Sequence, residues 1–350
     1  MKSYIINARD TEKWKSVLKN FGKLDCSFLP EYHLAYCSRD KGSQALLYVQ
    51  ESDYNIFAFP FILNEIPLEF CSSKKKLYDI SSVYGYSGPL IRKHDPKFLY
   101  IAWNNFDLWA LDNNIICEFT RFSFYNGNRV IAHPETKILS NRTVAINYFN
   151  MSEEAHKKIL GPKTRNMIAK ARLSDLKVQK LNFKENYPQF KKLYDELMLK
   201  NSAPSFFFYD DDYYKELAKM DYNDINLFGI FRNEEFVGAV IIIRYGHYAL
   251  YHLGAVKEGL NSLGCSNFYL FELWKILKGE GLKILNLGGG RTTALDDPLL
   301  KFKLRNSNGR AEFEIGLRVI NKLEYEKVKT TYVSKLGSSL MSPNLQFYRS

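Results

Sequence analysis

The strongest constraint on the fold is the order of strand-like and helix-like segments between residues 225 and 290. Three apolar segments follow one another at 225–232, 235–245 and 247–256, which is typical of an antiparallel meander. An amphipathic helix pattern occupies 266–281 and ends at glycine. A short apolar segment then leads into three glycines at 282–290. Strands joined through a helix in this way predict an α/β fold.

The first half of the chain has a similar order of elements. Helix patterns at 10–22, 29–37 and 96–114 alternate with strand patterns, and 115–125 is predicted to be a strand. Residues 77–91, dense in Tyr, Gly and Ser, are predicted to form an exposed loop, and 133–145 to form a connection. The similar order, over a chain of 350 residues, favours two domains built on one α/β unit.

Composition limits the classes of partner. The chain is 46% apolar and 15% aromatic, so it can form sizeable cores. Its net charge of +11 favours anionic partners such as phosphate esters, nucleotides, tRNA or an anionic membrane face, without choosing among them.

Cysteine and hydropathy patterns indicate the compartment. The five cysteines are odd in number and lack CxxC spacing, and the six histidines are scattered, so we expect free thiols and no metal site. The start has no apolar signal region, and the apolar run 236–243 is too short to span a bilayer. We therefore expect a cytoplasmic protein without a transmembrane segment; attachment to the inner face of the membrane stays open.

Six motifs occur in one order along most of the chain. They are YDISSVYGYSGPLI, EFTRF, KTRNMIAKAR, YHLGA, LNLGGGR and DPLLKFK. In this order they resemble the FemABX-like branch of the GNAT acyltransferase superfamily, including peptidoglycan aminoacyltransferases and relatives associated with surface polysaccharides. The resemblance runs from about Pro30 to Tyr325.

The resemblance implies both a fold and an activity. The fold is α/β (α+β), with two tandem GNAT-like domains whose mixed sheets are flanked by helices. The first domain is expected at 1–145 plus about 317–350, and the second at 146–316. Family members transfer an aminoacyl group from charged tRNA to a peptidoglycan precursor.

The reactive centre is expected near the end of the second domain. Phe302 and Lys303 resemble the Phe-Lys pair of the family, whose lysine lies close to the transferred acyl group, so Lys303 is expected to stabilise the developing negative charge. Gly288, Gly289 and Gly290 follow a strand and suit a sharp turn or a close approach to a ligand, and Arg291 could hold an anionic group. We expect a loop to place Phe302 and Lys303 at a cleft. The alternative is a surface lysine after an ordinary tight turn.

A basic helix is predicted at 163–172. Lys163, Arg165, Lys170 and Arg172 fall within ten residues, and Arg165 and Arg172 are two turns apart on one face. Such a face can follow the phosphates of tRNA. A solvated helix face is an equally open interpretation.

Aromatic and polar residues are candidates for substrate binding. In the family, the region of Tyr84 and Tyr86 helps to bind the acceptor; a packed loop is the alternative. Asp79 is expected to be a cap or an acceptor contact. Tyr251 and His252 are neighbours on a strand and point to opposite faces, so one of them should face the cleft. His252 is either a general base or a core histidine.

The donor and the acceptor are predicted only as classes. Residues 261–265, NSLGC, lack the leading basic residue and the second glycine of the usual acyl-CoA loop of GNAT folds, which slightly favours aminoacyl-tRNA over acyl-CoA as the donor. No cofactor is expected to be tightly bound. The acceptor is expected to be a nucleotide- or lipid-linked sugar or peptide, and DNA is not an expected partner. The sequence leaves the oligomeric state open.

Two functions compete on this basis. The leading one is an acyl- or aminoacyltransferase that modifies an amine or hydroxyl of a cell-wall or surface-polysaccharide precursor. The alternative is a non-catalytic protein that binds RNA or an anionic glycan on the same fold.

Overall fold

The computed structural model describes residues 1–71, 75–338, 341–342 and 344–349. The chain divides into two compact units. Unit 1 consists of Met1–Gly22, Ser27–Asn141 and Phe313–Ser350, and unit 2 of Lys23–Cys26 and Arg142–Glu312. The domain limits predicted near 146 and 317 stay a prediction.

The strands are numbered along the chain. They are β1 (Lys2–Asn7), β2 (Gln44–Glu51), β3 (Ile56–Glu65), β4 (Tyr78–Ser81), β5 (Leu90–Ile91), β6 (Ile115–Arg121), β7 (Lys137–Tyr148), β8 (Leu176–Leu181), β9 (Ile225–Arg232), β10 (Glu235–Tyr245), β11 (Tyr248–Val256), β12 (Ile284–Gly288) and β13 (Gly309–Val319).

The α-helices are numbered in the same way. They are α1 (Thr11–Leu18), α2 (Pro30–Cys37), α3 (Pro96–Asp112), α4 (Glu153–Ile159), α5 (Pro162–Arg172), α6 (Phe183–Lys200), α7 (Asp211–Leu217), α8 (Cys265–Gly279), α9 (Pro298–Arg305) and α10 (Lys322–Leu336).

The two units repeat one sheet topology. In unit 1 the order is β1-β2-β3-β4-β6-β13, and in unit 2 it is β8-β9-β10-β11-β12-β7. Counted along these orders, the first four strands of each unit are antiparallel to their neighbours. The fourth strand is parallel to the fifth, and the sixth is antiparallel to the fifth. A helix, α3 in unit 1 and α8 in unit 2, connects the parallel strands. The predicted α/β class with mixed sheets is confirmed.

Each connecting helix covers its sheet with large apolar side chains. In unit 1, Trp103 and Phe106 of α3 pack among the phenylalanines of β3. In unit 2, Trp274 of α8 lies in the core formed with β10 and β12. Both helices are apolar enough to be buried on one side, which is why their periodic pattern was readable from the sequence.

The predicted exposed loop at 77–91 is wrong in its exposure and at its two ends. β4 and β5 lie within it, and the exposed fraction of Ser87 is 0% and that of Tyr86 is 9%. Residues 82–89 between the two strands are irregular, but most of their side chains are buried, which the Tyr, Gly and Ser content does not indicate.

The predicted connection at 133–145 is also wrong. Strand β7 begins at Lys137, and its residues Val144 to Ile146 are fully buried. Asn141 lies within the strand, where pairing with neighbouring strands outweighs the weak local preference of asparagine for turns.

Among the described residues, no helix has both the length and the apolar character needed to cross a membrane. The same part of the chain contains no group of three or more His, Cys, Asp or Glu residues suited to a metal ion.

We expect Gly264→Ala to destabilise unit 2 by about 3 kcal/mol or more. Gly264 has φ +83°, and a Cβ there would overlap the carbonyl oxygen of Met167, so strain and a backbone clash add together. Gly259→Ala is the matched control, since Gly259 has φ +81° and open space around it. It should cost only about 1–2 kcal/mol. Equal urea midpoints for the two variants would contradict this close packing of α5 on residue 264.

Candidate active site

The parallel strands of unit 2 part soon after they meet. β11 pairs with β12 over Tyr248–Leu250, opposite Ile284–Asn286, although β11 continues to Val256. In unit 1 the equivalent strands β4 and β6 pair from Tyr78 to Ser81, and the Ser82 N–H extends the contact to the Phe119 carbonyl at 2.9 Å. The opening between parallel strands is therefore a property of unit 2.

A β-bulge lies where the strands part. Ile241 and Ile242 of β10 stand opposite Leu253 and Tyr251, so His252 is the extra residue of β11. A bulge changes the direction of the strand and of its side chains. It places the Tyr251 hydroxyl against Gly254, where a Cβ would overlap that hydroxyl.

The three glycines form the end of β12 and the turn that follows it. Gly288 has φ +75°, which favours glycine, and its N–H donates to Asn286 Oδ1 at 2.8 Å. A Cβ at Gly289 would lie 3.1 Å from the Thr143 carbonyl oxygen, and one at Gly290 would overlap the carboxylate of Asp297. The glycines thus allow close packing on both sides of the turn. The backbone carbonyl of Gly289 remains available to a side chain.

Phe302 and Lys303 lie on a helix, not on the predicted loop. Asp297 caps α9, and Pro298 at its first turn suits the start of a helix. Phe302 is half-buried against the apolar core of unit 2. Lys303 Nζ donates to the Gly289 carbonyl at 2.9 Å and lies 6.0 Å from the centre of the Tyr251 ring.

The surroundings of Lys303 change its titration. Burial disfavours the charged ammonium and lowers the pKa of Lys303 to about 8, although the nearby Asp297 carboxylate opposes this effect. Both protonation states of Lys303 are therefore accessible near neutral pH.

Tyr251 and His252 contact different helices. The Tyr251 hydroxyl is 2.9 Å from the Tyr269 hydroxyl of α8, and burial raises the pKa of Tyr251 well above its usual value. His252 Nε2 is 2.6 Å from the Tyr213 hydroxyl of α7, and burial lowers the pKa of His252 to about 3. A neutral, hydrogen-bonded imidazole with so low a pKa is a poor general base, so the low pKa argues against the general-base interpretation of the partly buried His252.

Three of the four basic residues on α5 are engaged within unit 2. Arg165 donates to the Leu160 carbonyl at 2.5 Å, Lys170 to the Ser262 carbonyl at 2.9 Å, and Arg172 to Glu272 at 3.4 Å. Lys163 lies exposed in the first turn.

The candidate acceptor residues of unit 1 separate into surface and core. Tyr84 is 43% exposed, and the Arg121 guanidinium lies 5.3 Å above its ring. Tyr86 is buried edge-on between Phe124 and Phe313. The sequence prediction does not distinguish the two tyrosines, because the adjacent residues in the chain do not indicate whether a tyrosine is buried.

Asp79 is neither a cap nor a surface contact. It lies on β4 with an exposed fraction of 0% and accepts hydrogen bonds from Asn64, Gln346 and Arg349 at 2.8–3.0 Å. Burial raises its pKa, and the Arg349 guanidinium opposes that shift. Its partners near the C-terminus are distant in sequence, so this ion pair had no local signature.

Asp297 and Tyr269 are site residues that the sequence prediction missed. Asp297 joins the glycine turn to α9, and Tyr269 holds the Tyr251 hydroxyl. The Asp-Pro pair at 297–298 is a helix-start signature that would have identified Asp297. Tyr269 had no such signature among the apolar residues of α8.

Solved structures with the same fold support the predicted fold class. FemX aligns with a TM-score of 0.67 and 12% identity, over 93% of this chain and 99% of that one. L-PGS from Bacillus licheniformis aligns with a TM-score of 0.59 and 14% identity, over 92% and 96%. A tandem GNAT protein from the clavulanic acid biosynthesis pathway aligns with a TM-score of 0.51 and 9% identity, over 91% and 98%. The chain has this tandem GNAT-like fold, as predicted.

Comparison of the amino-acid sequence, in contrast to comparison of the fold, found no match. Neither a protein-family model nor a curated protein sequence matches the chain.

We expect Lys303→Met to stabilise the protein at pH 7 by about 1–2 kcal/mol, because it removes a desolvated charge at the cost of one hydrogen bond. The folded pKa of about 8 lies below the ordinary value of 10.5, so the unfolded chain binds the proton more tightly. The gain should be complete below pH 8 and vanish as the pH rises to about 10.5. Urea unfolding at pH 7 and pH 10 measures it. Lys301→Met, on the exposed side of α9, is the control and should change stability by less than about 0.5 kcal/mol.

Proposed function

We propose that the chain is an acyl- or aminoacyltransferase whose reacting centre lies in unit 2, beside Lys303. The observation that supports it most is the position of the desolvated Lys303 ammonium. This group donates to the Gly289 carbonyl and lies above the ring of Tyr251. Tyr251 belongs to β11, the strand that parts from β12. Unit 1 has the same topology, but its parallel strands stay paired.

The proposed chemistry is transfer of an acyl group to an amine or a hydroxyl. The lone pair of the acceptor attacks the acyl carbon, and the carbonyl electrons move to the oxygen. Lys303 and backbone N–H groups along the parted edge of β11 stabilise this oxyanion. The intermediate then collapses and expels the alcohol or thiol of the donor. The acceptor loses one proton and the leaving group gains one, so the reaction needs no redox partner.

We propose aminoacyl-tRNA as the donor rather than acyl-CoA. In GNAT folds the loop before the helix equivalent to α8 receives acyl-CoA. Here α5 packs on that loop: the Met167 carbonyl fills the space beside Gly264, and Lys170 donates to the Ser262 carbonyl. These contacts leave less room for a diphosphate.

The exposed side of α5 is the proposed contact for tRNA phosphates. Lys163 is exposed at its start, and Arg172 remains 45% exposed although it pairs with Glu272. Arg165 and Lys170 are proposed as further contacts through the parts of their side chains that reach solvent.

The proposed acceptor is a nucleotide- or lipid-linked sugar or peptide of cell-wall or surface-polysaccharide synthesis. Tyr84 offers an exposed ring that can stack on a sugar or a base, and Arg121, above that ring, can pair with a phosphate.

Filter binding of bulk aminoacyl-tRNA, with acyl-CoAs as competitors and a salt titration, tests the choice of donor. Binding that depends on the aminoacyl group supports the proposal. Equal binding of charged and uncharged tRNA, together with saturable acyl-CoA binding, would assign a thioester donor instead.

We expect Lys303→Ala to lower turnover by about 100-fold or more while binding of charged tRNA stays within about twofold, because the charge acts on the transition state. Release of radiolabelled amino acids from bulk charged tRNA, with a nucleotide-linked sugar-peptide as acceptor, measures turnover. Lys301→Ala should behave as wild type. A Lys303→Ala protein with normal turnover would refute the site.

The alternative of a non-catalytic binding protein predicts a different pattern. Charge reversal at Arg165 and Arg172 would then abolish binding, and Lys303→Ala would change nothing.

We expect turnover to fall as the pH rises through about 8, because Lys303 loses the proton whose charge stabilises the oxyanion. Lys303→Arg should move this alkaline limb to higher pH, since the guanidinium stays protonated. A limb unchanged in Lys303→Arg would assign the titration to another group.

A further inference from the structure

Asp297 connects the two segments that meet at Lys303. Its Oδ2 accepts the N–H groups of Arg291 and Thr292 at 3.1 and 3.0 Å, and the Thr292 hydroxyl at 3.2 Å. Its Oδ1 accepts the N–H groups of Leu299 and Leu300 at 2.9 and 3.0 Å. One carboxylate oxygen thus serves the glycine turn and the other serves the start of α9.

Close packing makes this connection rigid. Asp297 is 5% exposed, and a Cβ at Gly290 would overlap its carboxylate. Burial alone would raise the pKa of Asp297, but hydrogen bonds from Leu300, Thr292 and Leu299 outweigh it and lower that pKa. The carboxylate is therefore ionised and able to accept all five hydrogen bonds at neutral pH.

The contact between Lys303 and Gly289 depends on both segments. Gly289 lies on the turn and Lys303 lies on the helix, so their distance of 2.9 Å is set by how turn and helix are held together. Because Oδ2 holds the turn while Oδ1 caps α9, loss of the Oδ2 contacts alone would release the turn from the helix and leave the cap in place.

We propose that Asp297 is a positioning residue, which holds the Lys303 ammonium on the Gly289 carbonyl by bridging the glycine turn to α9. The inference deepens the proposed function, since it names what places the charge at the reacting centre. Its test measures Lys303 directly and does not require that transfer occurs.

Other charged and titratable groups also surround Lys303. Tyr251 of β11 faces it, with Tyr269 of α8 behind, and Arg142 of β7 donates to the Gly290 carbonyl at 3.3 Å. None of these groups is substituted in Asp297→Asn or Thr292→Ala, so changes at Lys303 in these variants originate at the bridge.

Asp297→Asn separates bridging from capping. The asparagine carbonyl can still cap α9, but its NH2 group then faces the N–H groups of Arg291 and Thr292, and two donors cannot bond. Loss of charge and loss of position move the Lys303 pKa in opposite directions. A missing carboxylate charge lowers it below about 8, whereas release of Lys303 into water raises it towards 10.5.

The experiment titrates Lys303 by NMR of protein labelled with ¹³C at the lysine ε-carbons, with Lys303→Met identifying the resonance. We expect the Lys303 pKa to rise by about one unit or more in Asp297→Asn. A fall, or no change, would show that Asp297 acts through charge or capping alone and would overturn the proposal.

A double-mutant cycle in urea gives an independent measurement. Lys303→Met should raise the unfolding midpoint in the wild type but leave it nearly unchanged in Asp297→Asn, because Lys303 is already solvated there. An equal or larger gain in the Asp297→Asn background would overturn the proposal.

Asp95→Asn is the matched control. Asp95 caps α3, precedes Pro96 and accepts from Lys97 and Phe98 at 3.0 and 3.1 Å, but it bridges no such turn. It should leave the Lys303 pKa unchanged. Thr292→Ala removes one donor to Oδ2 and should raise the Lys303 pKa by less than Asp297→Asn does. If Asp297→Asn fails to fold, Thr292→Ala replaces it as the test variant.

A normal Lys303→Ala turnover with a raised Lys303 pKa in Asp297→Asn would refute the proposed function and keep the positioning role. A strongly lowered Lys303→Ala turnover with an unchanged or lowered Lys303 pKa in Asp297→Asn would refute the positioning role and keep the proposed function.

Discussion

The site depends on one partly buried contact, the hydrogen bond from the Lys303 ammonium to the Gly289 carbonyl. An ammonium is costly to remove from water, and the lowered pKa of Lys303 reflects that cost. A carbonyl on one side and the Tyr251 ring on the other offset only part of it. A group held in this condition interacts strongly with any negative charge that develops beside it, which is the basis of the proposed chemistry.

The repeated topology shows where the two units differ. The strand order is the same, but the parallel strands stay paired in unit 1 and part in unit 2. In unit 2 a bulge at His252 accompanies the parting. In unit 1 the strand β4 carries the buried Asp79, whose partners include Arg349. One topology thus supports an opened strand pair in one unit and a closed, ion-paired core in the other.

Much of the fold was predictable because periodic patterns are local. The meander at β9–β11 and the helix α8 follow from spacing and side-chain type. β4 and β7 were missed because both lie among other strands, where partners distant in sequence outweigh local preference. The resemblance indicated Lys303, but the helix that carries it was taken for a loop.

The sequence by itself determined the α/β class, the repeated order of strands and helices, the basic charge and the position of the Phe-Lys pair in the chain, because these are properties of residue type and spacing. Tertiary structure alone decided that Tyr84 is exposed while Tyr86 is buried, that His252 is held by Tyr213, and that Asp297 ties the glycine turn to α9. These features depend on which distant segments meet, and burial and hydrogen bonding between such segments leave no periodic trace along the chain.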